Sequence, residues 1–279
     1  MSAAAHRLRF SKMHGAGNDF VVLDGREGGV PDAVVIARLC DRHFGVGCDQ
    51  LLTLEIPDRA DCVAAYRIWN ADGSTARQCG NGARCLAAWL ERDGTVREAS
   101  FQLQSPSGPV ACRRLEDGRF EVELGIPDFA PAVIPLATAA APRYSISGAR
   151  SQIEFGAVSI GNPHALVEVE DLDEAQLDTP ARLLQSHDWF PEGCNVGFAQ
   201  VLDRQRIALR VVERGVGETL ACGSGACAAV AVLTRWGRVS PPVEVRLPGG
   251  TLRVAWGGEG SAIALAGPTR FVFEGEWCA

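Results

Sequence analysis

The sequence predicts an α+β protein made of two pseudo-symmetric halves, each a strand-rich sheet wrapped around one central helix, with an active site in the cleft between them. Three observations favour this fold: a duplicated cysteine and glycine motif, strand patterns in both halves, and a helical pattern after each copy of the motif. With 279 residues, 47% of them hydrophobic, the chain is long enough for two domains of about 140 residues.

The duplicated motif reads CGNGARC at 79–85 and CGSGAC at 222–227. Further pairs follow in the same order, each separated by roughly 140 residues: Asn18 and Asn162, 47–48 and 193–194, 106–108 and 248–250, 126–127 and 267–268. We therefore predict two copies of one domain, 1–130 and 131–266, with a last strand near 267–279 joining the first half. The Ala- and Pro-rich segment 130–142 is the expected connector.

Local patterns agree with this division. Polar and apolar residues alternate at 119–124, 206–211 and 251–256, which predicts half-buried strands. After each motif the apolar residues take helical spacing: Ala83, Leu86, Ala87 and Leu90 in the first half, and Ala226, Ala229, Val230 and Leu233 in the second. Strands grouped around a single helix favour α+β over alternating α/β.

Composition excludes several classes of protein. The net charge of −7 with only 7% aromatic residues, and no basic stripe, argues against a nucleic-acid partner. No segment approaches the roughly 18 consecutive apolar residues of a membrane span, and 1–13 lacks a secretory pattern, so we expect a cytoplasmic protein that does not bind membranes. Its ten cysteines are then expected to be thiols.

Motifs for common cofactors and metals do not fit. Neither glycine motif is followed by Lys and Ser or Thr, and GAGNDF at 15–20 lacks dinucleotide-binding spacing. The paired cysteines of each motif stand five or six positions apart, which does not match a zinc site. We expect no cofactor and no metal.

Cys79 and Cys222 each stand where a helix is predicted to begin. Unpaired N–H groups and the helix dipole lower the pKa of a cysteine there, and flanking glycines let an anion approach those N–H groups. The alternative is that both cysteines only pack, as most buried cysteines do. Recurrence in the same context favours function for Cys79 and Cys222, while the other eight cysteines are assigned to the core or to no role.

A pair of thiols suits the inversion of an α-carbon. One thiolate removes the proton from one face and the other thiol delivers a proton to the opposite face. Main-chain N–H groups at Gly80, Asn81, Gly223 and Ser224 are predicted to hold the carboxylate and stabilise the developing charge. Two thiols this close would also be open to disulfide formation under oxidation.

Polar residues near glycines are candidate substrate contacts: Asn18, Asn70, Asn162, Asn195, and the pair Glu213 and Arg214. The asparagines could equally serve turns. Asn70 and Glu213 each precede a motif cysteine by nine positions, so the halves differ there and an asymmetric ligand is expected. Arg214 offers a bidentate clamp for a second carboxylate. His164 is either a satisfied histidine or one that tunes a thiol.

In order and over nearly the whole chain, the sequence resembles the diaminopimelate epimerase family. The motifs that carry the resemblance are FSKMHGAGNDF, WNADGS, QCGNGARC, GNPHA, EGCNVGF, ERGVGETLACGSGACA, LPGG and GPTRFVFEGEW. It implies conversion of LL-2,6-diaminopimelate to the meso form, toward lysine and peptidoglycan, without cofactor or metal and often in a homodimer.

The same resemblance implies roles for residues. Cys79 and Cys222 are the acid and base, His164 and Glu213 modulate the thiols, and the remaining contacts are made by Asn18, Gln50, Asn70, Asn162, Asn195, Glu213 and Arg214. Phe273 stands where many members have tyrosine, near the family's dimer contact.

Two alternatives stay open. A relative of proline or hydroxyproline racemases would also use paired cysteines, although the asparagines and the Glu213–Arg214 pair favour an acyclic substrate with two ammonium and two carboxylate groups. A non-catalytic amino-acid-binding module would not need both cysteines.

Overall fold

The structure, a computed structural model, describes residues 7–147, 152–173 and 176–278. The chain divides into two compact units, with the divisions between Val122 and Glu123 and between Ala266 and Gly267. Unit 1 contains the N-terminal part and the C-terminal strand, and unit 2 contains the segment between them.

The elements of unit 1 are mostly strands. Its helices are α1 (Ala33–Cys40) and α2 (Gly80–Asp93), and its strands are β1 (Arg7–Gly15), β2 (Asn18–Asp24), β3 (Gln50–Glu55), β4 (Ala64–Asn70), β5 (Thr75–Ala76), β6 (Ser100–Ser105), β7 (Gly108–Arg114), β8 (Phe120–Glu123), which ends at the unit boundary, and β18 (Arg270–Cys278).

Unit 2 has a similar set. Its helices are α3 (Asp178–Gln185) and α4 (Gly223–Arg235), and its strands are β9 (Tyr144–Ser147), β10 (Gln152–Ser159), β11 (Pro163–Glu168), β12 (Asn195–Asp203), β13 (Arg206–Glu213), β14 (Gly217–Thr219), β15 (Val243–Leu247), β16 (Gly250–Trp256) and β17 (Ile263–Gly267).

Strand pairing follows the same order in both units. In unit 1, β1–β2 is antiparallel, β2–β3 parallel, β3–β4 and β4–β5 antiparallel, β4–β6 parallel, and β6–β7 and β7–β8 antiparallel. In unit 2, β10–β11, β11–β12, β12–β13, β13–β14, β13–β15, β15–β16 and β16–β17 repeat that series. The helices also fall at equivalent points, so the predicted duplication and α+β fold are confirmed.

Helices α2 and α4 are the central helices of their units. The residues with predicted helical spacing in both are buried, and α2 packs on β1, β2 and β3 while α4 packs on β10, β11, β12, β13 and β16. Cys79 and Cys222 are the N-cap residues, each with extended backbone before the first turn. The duplicated motif thus marks the same structural position twice.

The second glycine of each motif is tightly packed. A Cβ on Gly82 would lie 3.1 Å from a methyl of Leu52 in β3. A Cβ on Gly225 would lie 3.0 Å from Val211 in β13 and 3.3 Å from the sulfur of Cys222. These contacts let the first turn of each helix approach a strand, so the glycines bring the helix N-terminus close to the strand ends.

The boundary that the sequence places at residue 130 lies inside unit 2. Segment 130–142 does not act as a free connector, because Ile134 and Leu136 are buried in a core with Phe155, Phe190 and Phe198. Its Ala and Pro content is typical of a linker, but the buried side chains of Ile134 and Leu136 pack it against unit 2.

In the C-terminal part, β18 pairs antiparallel with β1 along its length, from Arg7 opposite Cys278 to His14 opposite Arg270. None of the helices in the described part of the chain has the length and apolar character needed to cross a membrane. None of the ten cysteines, all of which lie within the described residues, forms a disulfide.

Candidate active site

The predicted polar residues of unit 1 lie at the ends of strands, along one edge of its sheet. Asn18 begins β2, Gln50 begins β3, and Asn70 ends β4. Because β2 and β3 are parallel, with Phe20 opposite Gln50, and β4 runs back beside β3, with Gln50 opposite Asn70, these ends lie together. The N-terminus of α2 meets the same edge, since Cys79 contacts Asn18.

Cys79 is partly exposed and closes the first turn of α2. Its sulfur accepts a hydrogen bond from the N–H of Gly82 at 3.4 Å and lies 3.9 Å from Oδ1 of Asn18. The N–H contact and the helix dipole favour a thiolate, whereas an oxygen acceptor favours a thiol that donates to it. Cys79 is therefore placed to exchange a proton.

A chain of hydrogen bonds fixes the direction of the amides around Cys79. Nη2 of Arg84 donates to Oδ1 of Asn81 at 2.9 Å, Nδ2 of Asn81 donates to Oδ1 of Asn18 at 3.2 Å, and Nδ2 of Asn18 donates to Asp49 at 2.9 Å. A guanidinium only donates and a carboxylate only accepts. The two ends therefore permit one orientation of both amides, and that orientation turns the oxygen of Asn18 toward the sulfur.

Arg84 and Asp49 were not among the predicted site residues. Arg84 is fully buried in α2, and Asp49 is held by Nη2 of Arg42 at 2.7 Å. The residue at the equivalent place in the second motif is Cys227, so the duplication gives no signal for Arg84. The sequence offers one hint. Arg84 is a charged residue inside a cysteine motif and on the apolar face of a predicted helix.

Gln50 and Asn70 form a separate contact at the same edge. Nε2 of Gln50 donates to Oδ1 of Asn70 at 3.1 Å, and Nδ2 of Asn70 donates to the hydroxyl of Ser74 at 3.0 Å. Both side chains are half-buried and leave hydrogen-bonding capacity for a ligand.

Equivalent strand ends carry the polar residues of unit 2. Asn162 immediately precedes β11, Asn195 begins β12 opposite His164, and Glu213 ends β13. Asn195 thus takes the place of Gln50, and Glu213 takes the place of Asn70. The sequence pairs Asn70 with Glu213 but does not reveal the first equivalence.

Cys222 is more enclosed than Cys79, with 4% of its surface exposed. Its sulfur lies 3.6 Å from the hydroxyl of Ser224, which in turn accepts from Nδ2 of Asn162 at 3.4 Å. Burial, and then the negative charge of Glu213, raise the pKa of Cys222 well above its usual value. In this environment Cys222 is a protonated thiol.

His164 reaches the sulfur only through other side chains. Its Nε2 lies 2.9 Å from Oδ1 of Asn162 and donates a hydrogen bond to that oxygen. The Nδ2 group of Asn162 therefore points to Ser224. Burial, with a smaller effect from Arg214, lowers the pKa of His164 to about 3. The imidazole is therefore neutral near pH 7 and acts as a hydrogen-bond donor rather than as a charge.

The predicted pair Glu213 and Arg214 is anchored but not mutually bonded. Glu213 accepts from the hydroxyl of Thr219 at 2.7 Å. The guanidinium of Arg214 is exposed and donates to the carbonyl of Glu192 at 2.6 Å, while its backbone N–H donates to Oδ1 of Asn195 at 3.0 Å. The remaining guanidinium donors can take a carboxylate.

Within the described residues, no group of three or more His, Cys, Asp or Glu side chains is placed to hold a metal ion. Each unit instead offers a cysteine at a helix N-terminus and amides at the adjoining strand ends. These groups can bind an anion and exchange a proton with a bound molecule.

Solved structures share this fold. A hydroxyproline epimerase from Agrobacterium vitis superposes with a TM-score of 0.70 at 17% identity, covering 98% of this chain and 92% of that one. A phenazine biosynthesis protein of the PhzF family from Bacillus anthracis gives a TM-score of 0.71 at 16% identity, covering 98% and 100%. At these identities the likeness shows the fold alone, and the fold is that of a class of duplicated α+β proteins which includes epimerases.

Sequence comparison identifies the family to which the chain belongs within this fold class. The profile of the diaminopimelate epimerase family matches residues 10–130 and 156–272. A diaminopimelate epimerase from Xanthomonas campestris pv. campestris is 57% identical over 282 residues, 99% of each chain, and one from Xylella fastidiosa strain M12 is 54% identical over 273 residues, 97% of this chain and 96% of that one. The chain belongs to the diaminopimelate epimerase family, which confirms the resemblance of its motifs.

Proposed function

We propose that this protein is an isomerase that converts LL-2,6-diaminopimelate to meso-2,6-diaminopimelate without a cofactor, with Cys79 and Cys222 as acid and base. The observation that carries the proposal is the equivalent placement of the two cysteines, each the N-cap of the central helix of one unit. Family membership supports the choice of substrate.

The reaction needs one proton removed and one proton delivered. A thiolate takes the α-proton and becomes a thiol, while the second thiol gives its proton to the opposite face and becomes a thiolate. The proposal requires both sulfurs to reach opposite faces of one α-carbon. The reverse reaction uses the same groups with their roles exchanged.

Charge that develops on the reacting carboxylate needs donors that are already in place. The first backbone N–H groups of α2 and α4, at Gly80, Asn81, Gly223 and Ser224, are assigned to this carboxylate. N–H groups of the first turn point out of the end of a helix and lie at the positive end of its dipole. They favour the transition state because its carboxylate carries more negative charge than that of the substrate.

Cys222 begins as the proton donor in this scheme, because burial and Glu213 hold it protonated. To act as the base it must lose that proton. A substrate ammonium beside Glu213 would offset the carboxylate charge that opposes the thiolate, and would thereby lower the pKa of Cys222. Binding of substrate and activation of the thiol are linked in this way. His164 supports the same thiol by orienting Asn162 and Ser224.

The remaining polar residues are assigned to the rest of the substrate, chiefly its non-reacting end: Asn18, Gln50, Asn70, Asn162, Asn195, Glu213 and Arg214. The two units differ most at Asn70 and Glu213, which occupy equivalent strand ends. An amide in one unit and a carboxylate in the other suit a molecule whose two ends are held differently. Arg214 supplies donors for the distal carboxylate.

The proposed reaction serves lysine and peptidoglycan precursor synthesis, in the cytoplasm. We also propose a homodimer. Its support is the C-terminal strand β18, which leaves the apolar side chains Val272 and Phe273 exposed. Phe273 stands where many members have tyrosine, and as an aromatic side chain it could make an apolar contact between copies.

The purified protein should be incubated with LL-diaminopimelate in D₂O, with chiral chromatography and proton NMR as readouts. We expect meso product that carries deuterium at one α-carbon, and unchanged rates with a chelator or a carbonyl reagent. Proline and trans-4-hydroxyproline serve as parallel substrates. Turnover of either imino acid without turnover of diaminopimelate would overturn the proposal in favour of a racemase of cyclic substrates.

A further inference from the structure

Two thiols outside the proposed site lie in direct contact. Cys40 is the last residue of α1, and Cys48 lies just before β3, with 3.4 Å between their sulfurs. Each residue is 2% exposed. No role in the proposed reaction uses this pair.

The backbone holds the two residues together. The N–H groups of Val46 and Gly47 both donate to the carbonyl of Leu39, at 2.9 and 3.1 Å, and the N–H of Cys48 donates to the carbonyl of Cys40 at 3.2 Å. The loop 41–47 therefore folds back onto the end of α1. A Cβ on Gly45 would lie 2.2 Å from the carbonyl oxygen of Arg38, so the backbone of the loop packs directly against the end of α1.

Charge around the pair distinguishes the two sulfurs. Lys12 contacts the carbonyl of Gly47 and the carboxylate of Asp19. The hydrogen bond from Cys48, together with the positive charge of Lys12, lowers the pKa of Cys40, whereas that hydrogen bond and burial raise the pKa of Cys48. Cys40 is the more nucleophilic sulfur, and Cys48 is a thiol placed beside it.

We infer that Cys40 and Cys48 are a site of oxidative modification, at which a peroxide converts the two thiols into an intramolecular disulfide. The sulfur of Cys40 attacks one oxygen of hydrogen peroxide, the O–O bond breaks, and a sulfenic acid and water form. The sulfur of Cys48 then attacks that of Cys40, the S–O bond breaks, and a second water leaves with the thiol proton. Two thiols and one peroxide give one disulfide and two waters, with each sulfur losing one electron.

Closure of the bond requires only a small movement. For the bond to form, the two sulfurs must approach from 3.4 Å to about 2.05 Å. Rotation of the two side chains accounts for part of this movement. Because both sulfurs are buried, the proposed oxidation requires the loop 41–47, whose Phe44 is 91% exposed, to open and admit peroxide. The disulfide then ties that loop shut at both ends and fixes the segment that leads into Asp49 and β3.

Peptide mapping tests the site directly. Trypsin cleaves after Arg38, Arg42 and Arg59, so Cys40 and Cys48 fall in different peptides, 39–42 and 43–59. The full-length C79S/C222S variant is treated with hydrogen peroxide, denatured, alkylated with iodoacetamide and digested without reductant. We expect these two peptides to be recovered mainly as one linked species that separates on reduction, and the thermal midpoint of the oxidised protein to rise.

Matched controls decide between the outcomes. Cys85 and Cys227, which are buried in the central helices, should stay singly alkylated. In C48S, Cys40 should stop at the sulfenic acid and be trapped by dimedone. Recovery of 39–42 and 43–59 as separate alkylated peptides, at peroxide doses that form the dimedone adduct in C48S, would overturn the inference. So would linkage of Cys40 to any other cysteine. Because mapping needs no turnover, its failure is distinct from failure of the proposed function.

Discussion

The two helix N-termini differ in how their cysteines are surrounded, although the strands and helices around them follow the same order. Cys79 is partly exposed and lies beside amides that are fixed between Arg84 and Asp49. Cys222 is buried and lies between a serine hydroxyl and the carboxylate of Glu213. Duplication has therefore preserved the place of the sulfur while the groups that control its proton have diverged.

The proposed reaction needs one thiolate and one thiol, and the different surroundings of Cys79 and Cys222 suit that need. Two identical cysteine environments would give both thiols the same tendency to lose a proton, and neither would be preset as acid or base. In this chain the enclosed cysteine is held as a thiol, while the helix dipole and the N–H of Gly82 act on the more open one. The common backbone sets the position of each sulfur, and the unlike neighbouring side chains set how readily it loses a proton.

The largest effect should come from removing the cysteine that stands at the same position in both units. Cys79→Ser and Cys222→Ser are each expected to lower kcat by at least about 100-fold, because either change removes one of the two proposed proton-transfer groups. Steady-state epimerisation of LL-diaminopimelate measures this. Cys278→Ser, at an exposed position in β18, is the matched control and should keep full activity. Wild-type turnover in either of the first two variants contradicts the two-base scheme.

The next effect should come from Arg84, which has no counterpart in the second motif. Arg84→Met leaves Oδ1 of Asn81 without its donor, which should lower the free energy of unfolding by about 1–3 kcal/mol and allow both amides to turn. Misplacement of the amides beside Cys79, a proposed proton-transfer group, should lower kcat by about 10- to 100-fold. Denaturant unfolding and steady-state kinetics read these two effects separately.

Cys227→Ala is the matched change in unit 2, because Cys227 occupies the position of Arg84 in the second motif. It should cost about 1 kcal/mol of packing and leave kcat unchanged. Arg84→Lys, which keeps a donor and the charge, should recover part of the activity. An equal kinetic loss in the Arg84→Met and Cys227→Ala variants would mean that the buried guanidinium serves only packing.

Much of this arrangement follows from local sequence. Periodicity predicts the central helices and several strands, because a half-buried element must repeat its apolar residues with its own period. The repeated motif locates Cys79 and Cys222, since one motif placed twice in a duplicated fold occupies equivalent positions. Glu213 and Asn70 are also found by their equal spacing to the cysteines.

Other features depend on tertiary contacts that leave no local pattern. Asp49 contacts Asn18 because parallel strands β2 and β3 bring their starting ends together across α1 and its loop. The equivalence of Gln50 and Asn195 emerges only from strand pairing. Segment 130–142 reads as a connector, yet Ile134 and Leu136 join the core of unit 2.

A third change tests the control of the buried thiol. Burial, and then the charge of Glu213, raise the pKa of Cys222. Glu213→Gln removes that charge but not the burial, so the pKa of Cys222 should fall part of the way. The rate of iodoacetamide labelling of Cys222, followed against pH by peptide mass spectrometry, reports this change. Labelling should begin at a lower pH in the variant. The same variant should leave the labelling profile of Cys79 unmoved, and an unmoved profile for Cys222 would rule out Glu213 as the charge that controls it.

The smallest effect concerns His164, which stands where unit 1 has Phe20, since each pairs with the first residue of the next strand. Burial lowers the pKa of His164 from 6.5 to about 3, so below pH 6.5 the unfolded chain binds a proton that the folded chain refuses. The contribution of this residue to stability is complete above pH 6.5 and is lost progressively as the pH falls toward 3.

His164→Phe makes unit 2 resemble unit 1 at this position. At pH 7 the variant should lose about 1 kcal/mol, because Asn162 loses its hydrogen-bond donor. Between about pH 6.5 and pH 5, however, its thermal midpoint should fall less steeply than that of the original protein, since no buried imidazole remains to be protonated on unfolding. Calorimetric melts across this range measure both effects. His43→Gln, at an exposed position, should leave the slope as it was, and identical slopes for His164→Phe and the original protein would show that His164 is not buried in its neutral form.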